Sequence, residues 1–164
     1  MHPEAFAWVA AHATGAPVEV LDIGGRNING GVRDLFPGAT RYIAVDIREG
    51  PGVDVVADAS TWVPDQEYDV VVSTETFEHT AVWPDICLTA YKACKTGGKL
   101  ILTMAGPGRA VHSAVDGGPS LHPGEYYGNV EPELLRETLE SAGWKDIVVD
   151  YLPGAADTRV IATK

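Results

Sequence analysis

The sequence lacks any long hydrophobic run, and it also lacks the features of a secretory signal at its start. No apolar stretch approaches the roughly 20 residues that cross a bilayer, so we expect no membrane association. The first residues carry neither a basic segment nor the apolar segment that follows it in a signal peptide. We therefore expect a cytoplasmic protein, with its 164 residues forming a single domain over 1–164.

Basic residues are also scarce. The chain has 12 Lys and Arg against 23 Asp and Glu, which gives a net charge of −11. Nucleic-acid affinity comes largely from basic side chains that neutralise phosphates, and no basic cluster offsets the acidic excess. We expect no nucleic-acid partner.

Cysteine is nearly absent, with only Cys87 and Cys94 in the chain. If both lie on one helix, seven residues place them roughly 10 Å apart along its axis, which is too far for a disulfide. Two buried free thiols are expected, and no metal site is predicted.

What remains alternates short β-branched runs with helical segments, which is typical of an α/β domain on a mostly parallel sheet. Only eight residues separate Asp46 from Val55, so the third strand should be very short or its connection compressed. The expected helices cover 4–13, 29–36, 83–95 and 131–142, and the expected strands cover 18–23, 41–46, 54–57, 68–73, 99–104, 147–149 and 158–161.

Residues 105–130 are rich in Gly, Pro, Ser and His and show no period. An irregular stretch this long within a small domain is either functional or disordered. We predict a substrate-binding or lid loop here.

The first chemical signal is Asp22 at the tip of the first strand, followed by Gly24 and Gly25. Ligands of open α/β sheets bind at the carboxyl ends of the strands, where such a turn lets them approach the backbone. A dinucleotide fingerprint would need glycine at positions 26 and 29, which hold Arg26 and Asn29. A nicotinamide-dependent reductase is therefore disfavoured.

Two further acidic residues end the next strands. Asp46 lies 24 residues after Asp22, close to the spacing at which an acid accepts hydrogen bonds from ribose hydroxyls. Asp58 follows the third strand and is suited to an adenine amino group. The alternative for Asp46 is a solvated loop residue.

Together, Val-Leu-Asp22-Ile-Gly24-Gly25, Ala-Val-Asp46, Val-Ala-Asp58, Val-Val-Ser73 with Glu78-His79, and Gly97-Gly98 before the fifth strand resemble class I S-adenosylmethionine-dependent methyltransferases, type 11 group. The resemblance implies a Rossmann-like three-layer sandwich with a mostly parallel seven-stranded sheet and an antiparallel last strand. It implies transfer of a methyl group from S-adenosylmethionine to an O, N or C acceptor, most simply a small molecule, leaving S-adenosylhomocysteine.

The resemblance also assigns cofactor contacts. The turn would hold the methionine part, Asp46 the ribose, and the segment after the fourth strand would line the passage to the acceptor. Arg26 departs from the family pattern, which has glycine there; its side chain could turn to solvent, or pair with Asp22 or with the cofactor's carboxylate. The expected contacts are Asp22, Gly24, Gly25, Arg26, Asp46, Ile47, Asp58, Ala59, Thr74, Glu75 and Phe77.

Two histidines are candidate general bases. His79 follows the fourth strand, and His122 lies in the predicted lid loop, which also contains His112. The alternatives are a structural hydrogen bond for His79 and a surface position for the loop histidines. His12 and its helix are candidates to cover the cofactor, while His2 looks like a plain terminal residue.

A different class of function stays open: a catalytically degenerate methyltransferase fold that acts as a binding or scaffold subunit. Acceptor choice would lie in residues 1–17 and 105–130, which match the family least. The oligomeric state, monomer or homodimer, is open.

Overall fold

The computed structural model describes residues 1–164. Its elements, in chain order, are α1 (Pro3–His12), β1 (Glu19–Ile23), β2 (Arg41–Asp46), β3 (Val55–Val56), β4 (Tyr68–Thr74), α2 (Trp83–Ala93), β5 (Cys94–Ala105), α3 (Pro132–Ala142), β6 (Lys145–Leu152) and β7 (Asp157–Thr163). None of the helices combines the length and apolar character that a membrane crossing requires.

All seven strands form one sheet in the order β3-β2-β1-β4-β5-β7-β6. Strands β1 to β5 pair in parallel, and β7 runs antiparallel to both β5 and β6. The predicted Rossmann-like sheet with an antiparallel last strand is confirmed. Because the strand order reverses between β1 and β4, a crevice opens at their carboxyl ends, where ligands of such sheets bind.

Apolar side chains alternate along the strands and fill a core on each face of the sheet. On β1, Leu21 and Ile23 belong to the larger core that contains residues of α2 and α3, while Val20 belongs to the smaller core beneath α1. This alternation follows from the two-residue period of a strand. Helices therefore cover both faces, which gives the three layers.

Helix α3 illustrates how local signals place an element. It begins at Pro132, a residue tolerated in the first turn, and it ends at Gly143, whose φ of 108° is left-handed. Leu135 and Leu139, one turn apart, are fully buried. The helix packs against α2 and β6.

The link between β2 and β3 is as compressed as the spacing predicts. Strand β3 has only two residues, and it is held by its pairing with Val45 and Asp46. With no room for a crossover helix, the connecting residues 47–54 stay at the sheet edge, beside the turn after β1.

The helix expected over 29–36 is wrong, because only a single 3-10 turn forms at Arg33–Leu35. Gly30 has a φ of 120°, which no right-handed helix contains, and Pro37 follows at once. Asn29 caps no helix; its side-chain oxygen accepts a hydrogen bond from the Met1 nitrogen.

The expectation that both cysteines share one helix is also wrong. Cys87 lies on α2, but Cys94 has extended backbone angles and begins β5 opposite Tyr68. Both thiols are buried and free, as expected.

Two adjacent leucines test the inner core. Leu135→Ala should lower the free energy of unfolding by about 2–5 kcal/mol, because it empties a fully buried site. The matched control Leu134→Ala removes a side chain that is 52% exposed, and it should change stability by no more than about 0.5 kcal/mol. Urea denaturation measures both, and equal losses would contradict the assigned faces of α3.

Candidate functional site

A cavity of about 710 Å³ opens at the carboxyl ends of β1, β2, β3 and β4. The turns that follow these four strands form one side of it, and parts of residues 109–126 form the other. The wall mixes carboxylates, open glycine backbone and a few apolar side chains. The cavity lies at the carboxyl ends of the strands, where the reversal of strand order between β1 and β4 predicts a ligand site.

The turn after β1 needs glycine at two positions. Gly24 has a φ of 77°, and a Cβ there would overlap the Thr76 hydroxyl. A Cβ at Gly25 would lie 2.7 Å from the Ala44 Cβ. The N–H groups of both glycines donate to the Val45 carbonyl, at 2.7 and 3.2 Å. The turn is thus pressed against β2 and leaves its backbone facing the cavity.

Asp22 is buried at the base of this turn, as predicted. The Tyr42 hydroxyl donates to its Oδ2 at 2.7 Å, while its Oδ1 has no hydrogen-bond partner. Burial raises the pKa of the Asp22 carboxyl to about 6. One carboxyl oxygen is thus left buried and without a hydrogen-bond partner, in a residue that borders the cavity.

Arg26 turns neither to open solvent nor to Asp22. Its side chain lies on the backbone of Gly50, where a Cβ would come within 2.7 Å of the Arg26 Nε. The backbone N–H of Arg26 donates a hydrogen bond to Asp46 Oδ2 at 3.3 Å. Arg26 therefore fastens the β1 turn to the β2–β3 connection, and it still borders the cavity.

Asp46 and Asp58 sit at the cavity rim, where the sequence places them. Asp46 Oδ1 accepts the N–H of Arg48 at 2.9 Å, which orients the carboxylate. Asp58 Oδ1 accepts two hydrogen bonds from Ser60, and these hold the Asp58 pKa below its usual range. Ile47, which is 65% exposed, and the small side chain of Ala59 border the same cavity.

Of the residues expected after β4, Thr74 and Glu75 reach the cavity and Phe77 does not. The Phe77 ring is 1% exposed and stacks on Trp83 at a centroid distance of 6.0 Å. Phe77 supports this segment from the core beneath it.

Glu75 belongs to an ion cluster that the sequence does not predict. His2 Nε2 lies 3.2 Å from Glu75 Oε2 and 3.0 Å from Asp157 Oδ1, and Arg109 pairs with both acids. Asp157 and then Glu75 raise the pKa of His2 to about 10. The expectation that His2 is a plain terminal residue is wrong, and no local pattern could have linked residues so far apart in the chain.

His79, the first of the two candidate bases, lies on the cavity wall. Its ring meets the rings of His112, at 4.9 Å, and Tyr127, at 5.5 Å, edge to face. Its Nδ1 is buried without a partner. Burial, followed by the effect of His112, lowers the pKa of His79 to about 4, so its imidazole is neutral at neutral pH.

Glu78, next to His79, is fully buried, and neither of its carboxyl oxygens has a hydrogen-bond partner. Burial, followed by the charge of Glu75, raises the pKa of Glu78 well above its usual range. The sequence shows the motif Glu78-His79, but it does not show that the Glu78 carboxyl group is buried without a hydrogen-bond partner.

His122 does not reach the cavity, contrary to its assignment as a candidate base. Its side chain is 48% exposed, and its Nε2 lies 3.0 Å from Asp116 Oδ2. The loop brings His112 to the cavity instead. His12 also stays away, because its ring packs on Trp8 at 4.3 Å.

Comparison with known proteins gives a consistent picture. A family model described as a methyltransferase domain matches residues 3–148. No curated protein matches the chain by sequence.

Three solved structures are similar in fold. Phosphoethanolamine N-methyltransferase 2 of Haemonchus contortus with S-adenosyl-L-methionine matches at 18% identity and a TM-score of 0.68, covering 98% of this chain and 52% of that one. The 1,6-didemethyltoxoflavin-N1-methyltransferase of Burkholderia thailandensis matches at 19% identity and a TM-score of 0.65, and the match covers 98% of this chain and 76% of that one. A SAM-dependent methyltransferase of Archaeoglobus fulgidus matches at 19% identity and a TM-score of 0.68, and the match covers 98% of this chain and 93% of that one. The chain thus spans about half the length of the Haemonchus enzyme, and the likeness is one of fold.

The raised pKa of Asp22 gives a pH dependence of stability. Between about pH 4 and about pH 7 the unfolded carboxyl ionises first, so this group lowers the stability of the native state as pH rises. Asp22→Asn removes that loss. The variant should gain roughly 2 kcal/mol relative to wild type across this interval, measured by urea denaturation at several pH values.

Tyr42→Phe is the matched variant. It removes the hydrogen bond that favours ionised Asp22, so the wild-type fall in stability should become steeper. Parallel pH profiles for wild type and Asp22→Asn would contradict the assignment.

Proposed function

Because the chain belongs to the family of methyltransferase domains, we propose that it transfers the methyl group of S-adenosylmethionine to a small-molecule acceptor. One observation carries the proposal. Asp22, Asp46 and Asp58, each at the end of its own strand, border one cavity beside a turn that tolerates only glycine.

The donor set suits this cofactor. S-adenosylmethionine has a sulfonium and an ammonium at one end, a nucleoside at the other, and no phosphate. The cavity offers carboxylates and open backbone, and its β1 turn lacks the glycine pattern of a pyrophosphate cradle. We propose that Asp22 binds the amino-acid end, Asp46 the ribose hydroxyls and Asp58 the adenine edge, and that Ile47 and Ala59 contact the ring; all five residues border the cavity.

When bound, the cofactor supplies an electrophilic methyl group on a positively charged sulfur. The chain's own residues then have three tasks: they bind the two ends, align the acceptor and exclude water. The turn at Gly24 and Gly25 gives the binding edge its rigidity, since its N–H groups are tied to Val45. Residues 109–126 form the facing wall, and we propose that they act as the lid over the acceptor.

His79 is the candidate for contact with the acceptor. Its neutral imidazole borders the cavity and can form a hydrogen bond with the acceptor. A pKa of about 4 makes it a weak base at neutral pH, so orienting the acceptor suits it better than removing a proton. His122 has no part in this proposal.

Three features support a small acceptor. The cavity is of the size that holds a metabolite beside a nucleoside. The net charge of −11 disfavours nucleic acid. Relatives of the same fold are bound to small molecules, namely phosphomonomethylethanolamine and 1,6-didemethyltoxoflavin.

Calorimetry with S-adenosylhomocysteine tests the proposal directly. The purified, cofactor-free chain should bind one molecule per chain, since the cavity has one set of acidic strand ends. Absence of binding by both S-adenosylhomocysteine and S-adenosylmethionine would refute it.

Asp46→Asn tests the ribose contact. The substitution removes the charge that accepts the hydroxyl hydrogen bonds, and it should weaken binding by about tenfold to a hundredfold. The matched control is Asp65→Asn, which removes the same charge at the amino ends of the strands, where Asp65 pairs with Arg41 at the start of β2. An unchanged affinity in Asp46→Asn, or an equal loss in both variants, would contradict the assignment.

A further inference from the structure

Three side chains of types that can bind a metal ion lie close together, and two of them border the cavity. Glu78 and His79 come from the turn after β4, and His112 comes from the loop after β5. Each offers a ligand atom, and these atoms lie within 4.8 Å of one another. The chain therefore brings together a carboxylate and two imidazoles from segments more than thirty residues apart.

Two of these groups lack any partner within the protein. The Glu78 side chain is 0% exposed, and neither of its oxygens has a hydrogen-bond partner of normal geometry; the nearest polar groups are the backbone N–H groups of Glu78 and Ala105. The Nδ1 of His79 is also buried and unpartnered. Buried polar atoms in folded proteins are nearly always hydrogen-bonded, because leaving them alone costs free energy. Adjacent orphaned groups of this kind point to a ligand that satisfies both.

His112 has the arrangement of a metal-ligating histidine. Its Nδ1 lies 3.2 Å from the carbonyl oxygen of Ala110, so an Nδ1–H donates there and Nε2 keeps its lone pair. Histidines that bind metals almost always use their second ring nitrogen in this way, which orients the ring.

A second acidic group nearby shows the contrast. His2, Glu75 and Asp157 also lie close together, but there Arg109 and His2 supply the counter-charges. Those two acids form ion pairs with cations of the chain itself, although Asp157 Oδ2 has no hydrogen-bond partner. Glu78 forms no such ion pair, and the charge of Arg109 acts on its carboxyl group only from a distance.

We propose that Glu78, His79 and His112 bind one divalent transition-metal cation at the cavity wall. Two imidazoles and one carboxylate form a ligand set that Zn²⁺ uses in enzymes with an open coordination position. Because His79 and His112 border the cavity, the open position faces the space assigned to the acceptor.

The consequence for catalysis rests on the proposed function. A cation in this place would hold a hydroxyl group of the acceptor and lower its pKa. The acceptor hydroxyl gives its proton to solvent, its oxygen forms the bond to the methyl carbon, and the carbon–sulfur bond breaks to leave a neutral thioether. The site thereby favours acceptors with a hydroxyl group.

The experiment titrates the full, chelator-treated chain with ZnCl₂ by calorimetry and with CoCl₂ by visible absorption. We expect one cation per chain and Co²⁺ absorption bands typical of nitrogen and oxygen ligands. Glu78→Gln, His79→Gln and His112→Gln should each weaken binding at least about tenfold. Thermal unfolding in chelator checks that each variant folds.

The matched control is His122→Gln, which removes the exposed histidine beside Asp116 and should leave metal affinity unchanged. Loss of binding in that variant, or unchanged binding in both Glu78→Gln and His112→Gln, would overturn the proposal by placing the metal at the surface. Absence of binding by wild type would overturn it as well. S-adenosylhomocysteine binding is measured on the same samples without metal, so failure of the cation site is separate from failure of the cofactor site.

Discussion

The hydrogen bonds from the N–H groups of Gly24 and Gly25 to the Val45 carbonyl are the constraint on which the site depends. They hold the turn after β1 against the end of β2, with Thr76 of the β4 turn on its other side. No side chain fits at Gly24 or Gly25, because a Cβ there would overlap Thr76 on one side or Ala44 of β2 on the other. The backbone is thereby left open to a ligand, and the next N–H, that of Arg26, is directed to Asp46.

The treatment of buried carboxyl groups divides the site into two parts. Glu75 and Asp157 are compensated by His2 and Arg109, and this cluster ties the N-terminal segment and the loop after β5 to the end of β4. Asp22 and Glu78 form no ion pair with a cation of the chain, and both keep oxygens with no hydrogen-bond partner. Uncompensated burial of a carboxyl group costs free energy, and we propose that a bound ligand offsets this cost at both groups.

The compressed β2–β3 connection explains the unusual residue in the glycine turn. With residues 47–54 lying at the sheet edge, Gly50 offers a bare backbone surface, and the Arg26 side chain packs on it. Arginine therefore stands where the family pattern has glycine without closing the turn. A second consequence is that Asn27 donates its N–H to the Pro51 carbonyl, which joins the two loops into one wall.

The sequence by itself determined the strands, the glycine turn and the acids at strand ends, because each depends on neighbours a few residues away. Local signals gave a wrong prediction in a short segment: a helix was expected over 29–36, but the positive φ of Gly30 excludes it. Only the tertiary structure decided which distant side chains meet: His112 rather than His122 at the cavity, His2 beside Asp157, and Phe77 in the core. The reason is physical. Periodicity and turn chemistry act along the chain, whereas burial and the pairing of charges depend on how the sheet brings remote segments together.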